Sequence, residues 1–224
     1  MNKNTPLKKE RIGVFIDGSN FYFGLKRNNR PTRVDYFKLC TALAGPDREL
    51  VRIYYYNSAY DPDLSPEQAK GQQSFFDSLD KTPFLELRLG RISLSLDGST
   101  KVKGVATRLA SDLIFYAALG GFDTAIVLTD DSEYAPVLAQ VKELGRQMEI
   151  GLFADSQSRD LIQAADNIIH LEGVLDKKGT NICPSTPEPE KDDSETSLVG
   201  SNRVTVAETR KKYLAPPKVF RLKD

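Results

Sequence analysis

Two acidic clusters lie far apart in the chain, and each closes an apolar run: Gly13-Val14-Phe15-Ile16-Asp17-Gly18-Ser19-Asn20 and Ala125-Ile126-Val127-Leu128-Thr129-Asp130-Asp131-Ser132-Glu133-Tyr134. Each reads as a buried strand that ends in carboxylates and turns into a helix, which is how open parallel sheets build sites at their carboxyl edge. Carboxylates gathered there repel one another unless a cation joins them. Their chemistry points to a divalent-metal phosphoryl-transfer or nuclease site, with Mg²⁺ the natural occupant because carboxylate oxygens are hard ligands. Taken singly, these residues are equally good local caps: Asp131 or Ser132 could cap the helix that follows, and Asn20 could hold a turn. The pairing of two such edges favours the site.

The elements that must position these acids alternate along the chain. Residues 11–16 read as a first strand, followed by a short helix near Phe21 to Arg27 and a second from Asp35 to Ala44, stopped by Gly45-Pro46. Leu50 to Tyr56 is rich in β-formers and reads as the second strand. Ser65-Pro66-Glu67 offers an N-cap before a proline at the first helical position, opening a helix to about Asp80. Pro83 to Leu96 alternates apolar and polar residues, which predicts a strand and a hairpin through Asp97-Gly98. Gly104 to Leu119 is the longest helical pattern, with Val105, Leu109, Leu113 and Tyr116 on one face. Thr124 to Leu128 is the most hydrophobic strand, and its helix is expected from Glu133 to Leu144. A strand from Met148 to Phe153, a helix from Ser158 to Ala165 and a strand from Asn167 to Leu171 complete the pattern. Such alternation predicts an α/β fold with a mostly parallel sheet and helices on both faces.

Composition sets the remaining bounds. The 224 residues allow one sizeable domain plus a tail, and 31 basic against 31 acidic residues leave the chain with no net charge to mark a nucleic-acid binder. Cys40 and Cys183, the two cysteines, fit neither a disulfide framework nor a zinc site. No segment resembles an export signal or a membrane span, so a cytoplasmic setting is expected. Residues 1–10 form a charged leader. Composition shifts near Asp176, and Thr180 to Ser197 mixes proline with Ser, Thr, Glu and Asp, so 176–224 reads as a flexible tail. Its end, Arg203 to Lys223, is basic: it reads as a solvated terminus or as a dock for an acidic protein or nucleic acid.

Three blocks together resemble a known family. Ile16-Asp17-Gly18-Ser19-Asn20, then Lys103-Gly104-Val105 opening a helix that carries Leu109-Ala110-Ser111-Asp112, then Leu128-Thr129-Asp130-Asp131-Ser132-Glu133-Tyr134 are similar to the signature blocks of NYN domains. These are PIN-like nuclease domains and include the LabA-like proteins. The resemblance covers roughly residues 11–172, and the domain is drawn as 11–175. It implies a three-layer α/β/α fold and a metal-dependent endoribonuclease whose acids hold Mg²⁺ or Mn²⁺. Position by position, it assigns catalytic roles to Asp17, Asn20, Asp112 and Asp131, and metal-ligand roles to Asp17, Asp112, Asp131 and Glu133. Glu133 and Tyr134 stand where the family block has Asp and Phe, and Asp130 replaces a glycine.

One departure counts against full activity. After Lys103-Gly104-Val105 the family usually has an aspartate, and here it is Ala106, which cannot bind a metal. Asp112 lies about 240° further round the helix, so it does not replace the missing group on the same face. A non-catalytic RNA-binding or regulatory module is therefore the alternative reading. A haloacid-dehalogenase-type phosphatase is set aside, because Ser19 stands where that chemistry needs a second aspartate.

Substrate contacts are expected from local basic groups. Lys26 and Arg27, with Arg30 and Arg33 behind them, follow the first acidic block, and Lys101, Lys103 and Arg108 surround the entry to the long helix. Both groups could meet RNA phosphates or be solvated faces. Tyr22 and Phe23 could stack on a base or pack inward. Alternation within Tyr54-Tyr55-Tyr56 sends the middle ring to the opposite face, so part of that run is core. His170, the only histidine, is expected to be a strand residue rather than a general base. A homodimer is left open.

Overall fold

The computed structural model describes residues 8–63, 65–94, 100–156, 158–176 and 181–183. The elements run β1 (Arg11–Asp17), α1 (Gly18–Arg27), α2 (Tyr36–Ala44), β2 (Glu49–Ala59), α3 (Pro66–Asp80), β3 (Leu85–Leu94), β4 (Thr100–Lys103) and α4 (Val105–Ala118). They continue with β5 (Thr124–Leu128), a 3₁₀ turn (Ser132–Tyr134), α5 (Ala135–Glu143), β6 (Gln147–Leu152), α6 (Arg159–Ala164), β7 (Asn167–His170) and α7 (Leu171–Leu175). One seven-stranded sheet has the order β4-β3-β2-β1-β5-β6-β7. Every neighbouring pair is parallel except β3 and β4, which form the antiparallel hairpin expected from the alternation there. The turn through Asp97-Gly98 lies outside the described residues.

Period-2 alternation in the strands builds two cores, one on each face. Val14, Ile16, Tyr55, Ile126 and Leu128 pack against Phe21, Leu25, Leu39 and Leu43 of α1 and α2 and Phe76 and Leu79 of α3. Phe15, Tyr54, Tyr56, Val127 and Ile150 pack against Leu109, Leu113, Leu138 and Val141 of α4 and α5 and Leu161 of α6. The three tyrosines divide between the faces as their spacing requires. Leu109 and Leu113, one helical turn apart, are fully buried, and burying a side chain of that size stabilises the fold by roughly 1.5–3 kcal/mol. The sheet is thus the middle of three layers.

Where the elements depart from their sequence reading, local chemistry gives the reason. Helix α1 begins at Gly18 rather than near Phe21, because the Asp17 carboxylate accepts the Asn20 N–H and caps the helix from the last strand residue. The helix expected to begin at Glu133 is split. Asp131 caps the 3₁₀ turn by accepting the Glu133 N–H, and α5 starts only at Ala135, with Pro136 in its first turn. Ser65 precedes α3 but makes no side-chain cap bond. Helix α7 spans five residues, too few for periodicity to show.

Packing continues past Leu175. Ile182 is buried in the α2 face, and its carbonyl accepts the Asp35 N–H at 2.9 Å. Most of the expected tail, residues 177–180 and 184–224, lies outside the described residues, as does the leader through residue 7. Among the described residues no helix is long and apolar enough to cross a membrane.

Candidate active site

The sheet order reverses direction of winding between β1 and β5, the point where open α/β sheets form a crevice beyond the strand ends. Ile16 pairs with Leu128 across that boundary. Asp17, the last residue of β1, therefore lies beside the segment that carries Thr129, Asp130 and Asp131. Tyr55 and Tyr56 lie on the other flank, with Asp17 in register with Tyr56.

Asp17 is 9% exposed. One carboxylate oxygen accepts the Asn20 N–H at 3.1 Å, and the other accepts the Tyr134 hydroxyl at 3.3 Å. Burial pushes its pKa up to about 6, with the negative charges of Asp131 and Asp130 adding to the rise and the two hydrogen bonds opposing it. Burial likewise holds the Tyr134 phenol well above its usual range, so it remains a donor. Gly18 follows Asp17 because nothing larger fits: a Cβ there would stand 2.5 Å from the Tyr55 ring.

The β5 side is built to meet this carboxylate. The Asn20 side-chain oxygen accepts the Asp130 N–H at 2.9 Å, tying the start of α1 to the end of β5. Thr129 Oγ1 accepts the Asp131 N–H at 3.2 Å. Asp131 is half-buried, whereas Glu133 is exposed on the 3₁₀ turn. Asp130 is answered by Arg27, whose guanidinium also donates to Asp155 at 3.2 Å. Asn28 donates to Asp155 as well, and these contacts hold the Asp155 carboxyl below the usual carboxylate range.

Asp112 is placed differently. It projects from α4 to accept the Tyr56 hydroxyl at 3.0 Å, with Arg88 Nε 3.7 Å away. Among the described residues, no group of three or more His, Cys, Asp or Glu side chains stands ready to hold a metal ion. The structure thus brings Asp17, Asn20 and Asp131 to one edge and ties Asp112 to the neighbouring strand through Tyr56. Ala106 is exposed in the first turn of α4.

The expected RNA contacts fall into two groups. Lys26 lies over the Tyr22 ring at 4.7 Å from its centroid, and Arg27 is engaged by Asp130 and Asp155. Lys103 pairs with Arg91, which pairs with Ala59, three residues beyond Tyr56, so Lys103 stands on the carboxyl side of the sheet. Arg108 is exposed and donates to the Leu89 carbonyl at 3.4 Å. Arg30 is bound to Asp176. His170 is exposed at the end of the edge strand β7.

Sequence reasoning missed Tyr134 as a partner of Asp17, the Tyr56 and Arg88 contacts of Asp112, and Asp155. Only the last carried a signal. Asp155 follows the apolar end of β6 as Asp17 and Asp131 follow β1 and β5, so the strand-end rule applied a third time would have found it.

The fold is a doubly wound α/β domain with carboxylates at its switch point. The chain belongs to the NYN domain family, a PIN-like nuclease family, whose model matches residues 11–172. Nucleases of this family generally act on RNA, and PIN-like nuclease domains generally use divalent metal ions. The fold is similar to a crystal structure of a protein of unknown function from Vibrio parahaemolyticus, with a TM-score of 0.61 and 22% identity over 76% of this chain and 98% of that one. No curated protein matches the chain.

Proposed function

We propose that the chain is a metal-dependent endoribonuclease that hydrolyses RNA phosphodiester bonds at the carboxyl edge of β1 and β5. The observation that carries this reading is the buried Asp17 carboxylate, which faces the like charges of Asp131 and Asp130 and has no cationic partner of its own among the described residues. Such a carboxylate is costly to ionise unless a cation arrives.

The residues fit Mg²⁺ or Mn²⁺ without a full set of protein ligands, because Mg²⁺ keeps several waters and commonly uses one or two carboxylates together with substrate phosphates. Asp17 and Asp131 would be the direct pair, with Glu133 and Asp112 contributing through water. A bound divalent ion polarises the scissile phosphate, lowers the pKa of a coordinated water and offsets charge on the leaving oxygen. Asn20 fixes the spacing between the two strand ends, and Tyr134 holds Asp17 in position and favours its ionised form. Lys103 and Arg108, with Lys26 on the other rim, would neutralise phosphates of the bound strand.

A non-catalytic RNA-binding module is the second reading, favoured by Ala106 and by the diversion of Asp112 to Tyr56 and Arg88. Incubating purified protein with end-labelled single-stranded RNA separates the two. The nuclease reading expects internal cleavage with Mg²⁺ or Mn²⁺, none with EDTA, and a loss of at least about 100-fold in Asp17→Asn, about the size expected for removing a positioned charged group. Binding without cleavage would support the second reading, and equal cleavage by the variant would exclude the proposed site.

A further inference from the structure

The nuclease reading leaves unused a group of buried polar side chains at the carboxyl end of β2: Asn57 and Ser58 of the strand, and Gln72 of α3. Gln72 fixes the segment, its amide donating to the Ser58 carbonyl at 2.8 Å and accepting the Tyr60 N–H at 3.0 Å. Asn57 is 4% exposed, and an amide so enclosed is normally fully hydrogen-bonded. Here only one half is. Its Oδ1 accepts the Ser58 N–H at 2.8 Å and the Ser19 hydroxyl at 3.2 Å. An N–H can only donate, so the atom facing Ser58 is the oxygen, and the orientation of the whole amide follows. Its Nδ2, with two protons, has no partner among the described residues. Nor is Nδ2 one of the sealed side-chain atoms that lack a partner, so it reaches the surface.

Ser19 seats this amide on the first turn of α1. The helix has ten residues and no acidic side chain in that turn. The N–H groups of Gly18 and Ser19 precede the helix's own hydrogen-bond ladder, and such a turn favours an anion. Two acids stand close in the chain without filling it. Asp17 takes only the Asn20 N–H, and its other oxygen turns to Tyr134. Alternation puts Asp17 on the Phe15 face of the sheet with Tyr134, and Asn57 on the Tyr55 face with α1 and α3. Asp61, in the loop after β2, accepts the Asp63 N–H.

We infer that the first turn of α1 and the Asn57 amide form a seat for one backbone phosphate of the RNA, on the opposite side of the β1 end from Tyr134. Its donors are the Gly18 and Ser19 N–H groups and Asn57 Nδ2. These meet phosphate oxygens and no base edge, so the seat is indifferent to sequence. Gly18 is bonded to Asp17, so a phosphate held here belongs to the stretch of strand that crosses the acidic edge. The inference rests on the nuclease reading for the identity of the polymer, while the contacts themselves involve binding and not the reaction.

The test follows the seat's own N–H groups by two-dimensional amide NMR on the full chain, in EDTA so that no cleavage intervenes. The dinucleotides UpU and ApA, each with a single phosphodiester, are expected to shift the Gly18 and Ser19 backbone signals and the Asn57 side-chain pair saturably and alike. Uridine, which has no phosphate, should leave them in place. Asn57→Asp retains the oxygen that accepts from Ser58 and Ser19 and replaces the donor with a second carboxylate oxygen. It should abolish the shifts at Gly18 and Ser19 and weaken labelled oligo-U about tenfold in fluorescence anisotropy, as losing a hydrogen bond to a charged group does. The titration of the parent decides the matter even if Asn57→Asp does not fold.

Absence of shifts with UpU would overturn the inference, as would equal shifts with uridine, or shifts with inorganic phosphate but none with UpU. Unchanged affinity in folded Asn57→Asp would also overturn it. The nuclease reading fails separately. Absent or Asp17-independent cleavage would sink that reading while the titrations still decided the seat, and intact Asp17-dependent cleavage with silent titrations would sink only the seat.

Discussion

At the residue scale one buried carboxylate, Asp17, links the site to the stability of the fold. Its pKa near 6, against 3.8 for an unperturbed group, means that the folded protein holds this proton more tightly than the unfolded chain. Between those two values the unfolded state has lost the proton and the folded state has kept it, so stability falls as pH rises through that window and levels off above it. The full effect is on the order of 3 kcal/mol. In metal-free buffer, urea denaturation should therefore find Asp17→Asn more stable than the parent at pH 7.5 by about 1–3 kcal/mol, with the difference gone below pH 4. The asparagine can still cap α1, so the comparison isolates the charge.

Tyr134→Phe removes the hydroxyl that favours ionised Asp17. The acid limb of the kcat/KM profile should move to higher pH, with about 1 kcal/mol of stability lost with the hydrogen bond. An unmoved limb would mean that Asp17 does not set the profile. Asp17 itself was legible in the sequence because an apolar run ended on it. Tyr134 was not legible as its partner, because a contact spanning 117 positions depends on the way the sheet folds.

At the element scale, the strand-to-helix junction after β1 is under tight steric control. Gly18→Ala would drive a methyl group into the Tyr55 ring, and overpacking of this kind costs about 1–3 kcal/mol. A lower urea midpoint should be accompanied by reduced cleavage, since the residue displaced is next to Asp17. Helix α4 presents the opposite case. Ala106 is exposed in its first turn, where an added carboxylate is favoured by the helix dipole and disturbs no packing. Ala106→Asp, which puts back the family's usual acid, should leave stability within about 0.5 kcal/mol and tighten divalent-ion binding measured by calorimetry. No change in binding would mean that this position does not reach the ion.

Most helices and strands were legible because their periodicity is long and clean, as in Val105, Leu109 and Leu113. The misses are local. The 3₁₀ turn before α5 comes from a cap at Asp131, and the early start of α1 from a cap at Asp17. In both places a carboxylate at the site is also holding a backbone N–H, a role the sequence offered for Asp131 but not for Asp17.

At the scale of the whole molecule, chain topology brings the two strand ends together. Residues 17 and 131 become neighbours only because β1 and β5 pair at the centre of the sheet, with β2 and β3 wound to one side and β6 and β7 to the other. The alternating pattern made the parallel sheet legible, and the similarity of the three blocks to NYN domains made the pairing of these edges legible. The destination of Asp112 was not, because it depends on Tyr56 and Arg88, residues of two further strands. The same topology adds Asp155, just beyond the end of β6.

The central claim is that Asp17 and Asp131 together hold one divalent ion. The most direct measurement is an Mn²⁺ titration followed by electron paramagnetic resonance on the parent, Asp17→Asn, Asp131→Asn and Asp112→Asn. The expected result is one saturable Mn²⁺ site in the parent, its loss in each of the first two variants, and retained but weaker binding in the third. Saturable binding that survives unchanged in both Asp17→Asn and Asp131→Asn would contradict it.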